Sequence, residues 1–106
     1  MFADYPEGGE PTRNESVAVA TSQALFSYQH ERQEIIVSNN STAAQIAAGH
    51  KYVTISIGKE AVDGAGIVLL PGMTLYGSMN SEFRVSSESM YAIANGGAGT
   101  IAIFER

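Results

Sequence analysis

Short apolar runs, most of them alternating with polar residues, recur along this chain about every ten residues, and each is closed by Gly, Asn, Ser or Pro. That cadence leaves no room for long helices and calls for strands joined by turns. It is clearest at the end, where Met90 to Ala94 and Thr100 to Glu105 flank Asn95-Gly96-Gly97-Ala98-Gly99. Asn and Gly take positive φ at little steric cost, so this loop predicts a β-hairpin. Upstream, the same pattern predicts strands at 17–20, 24–28, 34–39, 52–58, 67–70, 74–76 and 82–86.

In Tyr52-Val53-Thr54-Ile55-Ser56-Ile57, alternation puts Val53, Ile55 and Ile57 on one face and Tyr52, Thr54 and Ser56 on the other. The first face is expected in the core with Ile101 and Ile103, and the second in water. Phe83 and Val85 against Glu82 and Arg84 read as an edge strand. Asp63-Gly64-Ala65-Gly66 and Leu70-Pro71-Gly72 are turns. Residues 41–49 are a short helix or an Ala-rich loop; Ser41 or Thr42 would cap a helix start and Gly49 its end. The fold class is all-β, an antiparallel β-sandwich or jelly-roll-like barrel.

At 106 residues the chain holds one domain with a modest core, and it has no cysteine to staple it. Residues 1–16 carry two of the three prolines, Gly8-Gly9 and four acids, with Phe2 and Tyr5 as the bulky anchors. Such a composition buries too little apolar area to offset its ordering entropy, so 1–16 is predicted to be an extended arm and 17–106 the sandwich. The arm docks either on its own domain or on a neighbour, and Phe2 and Tyr5 are the candidate interface residues, since aromatics bring large area at low rotamer cost.

Only 16% of residues are charged, against roughly 25% in an average soluble domain. A surface short of charge favours contact. Of the net −5, Asp4, Glu7, Glu10 and Glu15 against Arg13 place −3 in the first 15 residues and leave −2 for the rest. Arg32, Lys51, Lys59 and Arg84 are scattered, so nucleic-acid binding has no basic stripe to rest on. No apolar run approaches the roughly 20 residues of a membrane helix, and no signal-peptide pattern follows Met1. A soluble chain with no membrane partner and no export address is expected.

Catalytic constellations are hard to build from what remains. His30 and His50 lack spaced partner ligands for a metal and are expected to be loop or interface residues. No G-x-S-x-G element surrounds Ser86, Ser87 or Ser89. The glycine runs neither open a helix after a strand nor lead into Gly-Lys-Ser/Thr, so they are turns and not phosphate loops. Met73, Met79 and Met90 read as gap-fillers of a core or interface. No catalytic residue, metal site or cofactor is expected, and the chain reads as a non-enzyme.

Five segments carry a resemblance. They are Glu34-Ile35-Ile36-Val37-Ser38-Asn39-Asn40-Ser41-Thr42, Ile57-Gly58, Gly66-Ile67-Val68-Leu69-Leu70-Pro71-Gly72, Met90-Tyr91-Ala92-Ile93 and Gly99-Thr100-Ile101-Ala102-Ile103-Phe104-Glu105. Their order resembles small β-sandwich structural proteins of tailed-bacteriophage particles, over about the last two-thirds of the chain, with 43–51 as an insertion. The resemblance implies a virion structural protein, foremost a capsid decoration or cement protein on the head surface, assembled in the host cytoplasm. Its partners would be the major capsid protein or another virion protein and further copies of itself, as a trimer. A tail, fibre or head-to-tail connector module is the alternative within the particle. Outside it stands a carbohydrate-binding β-sandwich, which the absence of Trp and the scatter of five Tyr support only thinly.

Overall fold

Alternation of buried and open side chains runs through two strands, Glu34–Asn39 and Gly99–Glu105, of the computed structural model, which describes residues 13–26, 34–78 and 89–106. In order they form β1 (Arg13–Val19), β2 (Gln23–Phe26), β3 (Glu34–Asn39), α1 (Ala43–Ala47), β4 (Tyr52–Ile57), β5 (Ile67–Leu69), β6 (Thr74–Ser78), β7 (Met90–Asn95) and β8 (Gly99–Glu105). Along β8 the side chains of Ile101 and Ile103 turn inward while Thr100, Ala102 and Phe104 turn outward. On β3, Ile35, Val37 and Asn39 are buried between half-open Glu34, Ile36 and Ser38.

Two four-stranded antiparallel sheets result, in the orders β1-β8-β3-β6 and β2-β7-β4-β5. The pairs β1·β8, β2·β7, β3·β6 and β4·β5 describe one long doubled-back ribbon. Rolling that ribbon adds the pairs β3·β8 and β4·β7 and closes the sandwich. This is the strand order of a jelly roll. Its core is a single cluster drawn from both sheets, in which Leu25, Phe26, Val37, Val53, Ile55, Met90, Ile101 and Ile103 are sealed from water. Each such side chain contributes about 1.5–3 kcal/mol by leaving water.

Rolling corrects the terminal hairpin expected from sequence. β7 pairs with β2 and β4, whereas β8 pairs with β1 and β3, so the loop between them crosses from one sheet to the other. Three residues, 96–98, span the roughly 10 Å between packed sheets. Within the described residues only β4 and β5, adjacent in both chain and sheet, form a hairpin.

The faces of β4 need a second correction. Val53 and Ile55 lie in the core as expected and Ile57 packs half-buried at its margin, but the face assigned to water is closed too: Thr54 is 0% exposed and Ser56 is also buried. The β4–β5 loop folds back over it. The Gly64 N–H donates to Thr54 Oγ1 at 3.0 Å, and Gly66 lies so close to the Ile55 carbonyl and the Thr54 methyl that a Cβ there has no space. Asp63 fastens the loop, accepting from Asn95 Nδ2 at 2.7 Å and from the Tyr52 hydroxyl, whose pKa it pushes up.

β1 starts at Arg13, so residues 13–16, assigned to the arm from sequence, pair with 102–105 of β8. Residues 1–12, with Phe2 and Tyr5, lie outside the described residues, as do His30, Met79 and the strand expected at 82–86. Of the two readings for 41–49, the short helix and not the Ala-rich loop forms. Thr42 caps it through a reciprocal box with Gln45, and Gly49 follows at φ +115°.

Candidate functional site

Two places in the described structure concentrate polar chemistry or open surface. The first is a corner where β3, α1, the start of β4 and the β7–β8 crossing meet. Asn39 closes β3 with its side chain turned inward, because it sits in phase with Ile35 and Val37. Its Nδ2 donates to the Leu69 carbonyl at 2.9 Å and faces His50 Nε2 at 3.2 Å. Its Oδ1 accepts from the Ser41 N–H at 3.1 Å and the Ser41 hydroxyl at 2.6 Å. Ser41 Oγ in turn accepts from the Thr100 N–H at 3.1 Å.

His50 is 3% exposed and both ring nitrogens are engaged. Nδ1 stands 2.9 Å from the Gly97 carbonyl, which can only accept, so Nδ1 carries the proton and Nε2 accepts from Asn39. His50 thus lies in the loop after α1, as expected, but buried in a structural role within the domain. The imidazole holds the crossing loop onto the sandwich and has no free lone pair for a metal or a proton transfer. Glycine makes room for it. A Cβ on Gly99 would lie 2.5 Å from His50 Cε1 and 2.7 Å from Ser41 Oγ. A Cβ on Gly96, at φ +90°, would run into the Gly49 carbonyl. Among the described residues no three His, Cys, Asp or Glu side chains converge to hold a metal, and no helix is long and apolar enough to cross a membrane.

The second place is the outer face of the β1-β8-β3-β6 sheet. Strand register lines up Asn14, Phe104, Ile36 and Tyr76 in one row and Ser16, Ala102, Ser38 and Thr74 in the next. None of these eight outward positions is charged. The hydroxyls of Ser38 and Thr74 bond one another at 3.0 Å. At the rim the Tyr76 hydroxyl donates to Glu34 Oε2 at 2.6 Å, and Arg106 Nε donates to Glu34 Oε1 at 2.7 Å. Those two donors, Tyr76 first, hold the Glu34 carboxyl below its ordinary 4.5. At the β8 end of the face, Gln45 of α1 reaches over, its Oε1 accepting from Thr100 Oγ1 at 3.0 Å.

Neither place was visible as a site in the sequence. Asn39 stood out only as the end of a strand and Ser41 as a candidate helix cap, and the uncharged face appears only when the register of four strands is known. No family model matches the chain, and neither does any curated protein or solved structure.

Proposed function

We propose that this chain is a non-enzymatic virion structural protein, a decoration protein that docks on the outer surface of a bacteriophage head as a homo-oligomer, foremost a trimer. The observation that carries the reading is the outer face of β1-β8-β3-β6, whose eight central positions are uncharged and, among the described residues, half-buried or exposed. A flat face of this kind docks cheaply. The Ser38 and Thr74 hydroxyls bond one another and Glu34 is paired with Arg106, so covering them costs less than covering unbonded polar groups. Phe104, Ile36 and Tyr76 supply the apolar area.

Two further considerations support it. Jelly rolls recur in viral capsid and lectin domains, although fold alone does not fix function. The segments that resemble phage structural proteins include the residues of the buried corner, Asn39, Ser41 and Gly99, which shape the end of the sandwich. Residues 1–12 lead into β1 at Arg13, on this same sheet, where Phe2 and Tyr5 would extend the contact along the shell.

The test mixes purified protein with heads of its virus stripped of decoration and follows co-sedimentation. Saturable binding is expected, weakened at least tenfold by Ala102→Glu, which puts a charge at the centre of the face. Failure of the unaltered chain to sediment with heads overturns the reading.

A further inference from the structure

From Gly64 to Ser81 the chain runs eighteen residues without a charge, although it carries seventeen charged residues elsewhere. This stretch includes β5 and β6, edge strands of the two different sheets, and the connection of only four residues, 70–73, between them keeps both edges on the same side of the sandwich. Within nine residues it holds four of the six large hydrophobic side chains that stand exposed among the described residues: Val68 at 39%, Leu70 at 51%, Met73 at 46% and Tyr76 at 47%. β5 pairs only with β4 and β6 only with β3, so each has an outward edge with no strand against it among the described residues.

Edges are where proteins place lysines and other charges against unwanted pairing. Among the described residues neither β5 nor β6 carries a charge. A charged partner would find no counter-charge to steer it. A second copy of this chain, by contrast, carries the same net −5 and is repelled least where both surfaces are neutral.

We propose that the β5–β6 side is the self-association surface of this protein and faces the symmetry axis of its oligomer, where Val68, Leu70 and Met73 of the copies meet. The inference names the contact behind the proposed clustering, and it is read on the free protein without particles, so it stands or falls separately from shell binding. The stretch is shorter than the about 20–30 residues a side of a standard interface, so assembly depends on protein concentration.

The experiment measures mass by light scattering across a concentration series for the full chain and for Val68→Lys with Leu70→Lys. The unaltered chain is expected to rise from monomer to oligomer, and the double variant to stay monomeric with the same melting temperature. A second readout uses the lack of any cysteine in the chain. Leu70→Cys should oxidise to a disulfide-linked dimer at low concentration, whereas Ala18→Cys, exposed on β1 at the far edge of its sheet, should not. If the lysine variant unfolds, the cysteine pair decides. An unaltered chain that stays monomeric throughout, a folded lysine variant that assembles as before, or cross-linking by Ala18→Cys and not by Leu70→Cys overturns the proposal.

Discussion

Asn39 and Asn40 are the same residue type side by side, and the structure assigns them opposite consequences. The Asn39 side chain makes four hydrogen bonds in a closed site, while Asn40 is exposed and contributes a backbone N–H to the Thr100 carbonyl. In Asn39→Ala, Ser41 can turn to water because it is only half-buried, but the Leu69 carbonyl and His50 Nε2 lose their donor inside the protein. At about 1–3 kcal/mol for each stranded group, the loss centres on about 4 kcal/mol. That is a large share of the roughly 5–15 kcal/mol that holds a domain together, and it lowers the melting temperature by about 15 °C or more. Asn39→Asp should cost as much, since it sets an oxygen against the Leu69 carbonyl. Asn40→Ala should stay within about 0.5 kcal/mol of the unaltered chain. Thermal and urea melts followed by circular dichroism read all three. If Asn39→Ala melted within a degree or two of Asn40→Ala, the buried corner would not be holding the fold.

Other consequences follow from burial and charge. Ile55→Asp and Thr54→Asp should both fail to fold cooperatively, because each puts a carboxylate where exposure is 1% or less; a stable Thr54→Asp would show that the 58–66 loop does not close over β4. Glu34 ionises more readily folded than unfolded, so the stability it contributes is present above the unfolded pKa and is lost as pH falls through the lowered folded value, below about 4.5. Tyr76→Phe removes the first cause, so carboxyl titration by NMR should show Glu34 rising toward its ordinary value, and an unchanged titration would contradict the pairing. Phe2→Ala with Tyr5→Ala should leave the melt of the isolated protein nearly unchanged and weaken head binding by more than Glu7→Gln with Glu10→Gln does; the reverse order would make the arm part of the fold.

Strand positions were legible because a period of two is a local property. β3, β4, β7 and β8 lie within a residue of where alternation puts them, and the helix stands where Thr42 and Gln45 permit a capping box. Partners were not legible. Alternation says which side chains share a face and nothing about which strand lies alongside, and Asn95 to Gly99 reads the same whether the chain turns back in its own sheet or crosses to the other. What distinguishes the crossing is the approach of Gly49 and His50, about fifty residues earlier in the chain, to Gly96 and Gly99. Thr54 misled for a different reason: its polarity suits water, and alternation within the strand does not say that the loop following β4 folds back and bonds its hydroxyl. His50 carried one usable hint, its place directly after a helix-ending glycine, yet its partners Asn39 and Gly97 lie 11 residues before it and 47 residues after it in the chain.

Whether this jelly roll clothes a phage head is tested most directly by a three-dimensional reconstruction of the particle that carries it. Jelly-roll density is expected on the outer surface of the shell, clustered about three-fold positions, with the β1-β8-β3-β6 face toward the shell and the β5–β6 sides meeting at the cluster axis. Density for this chain in the tail, or a head surface that carries none of it, would contradict the account.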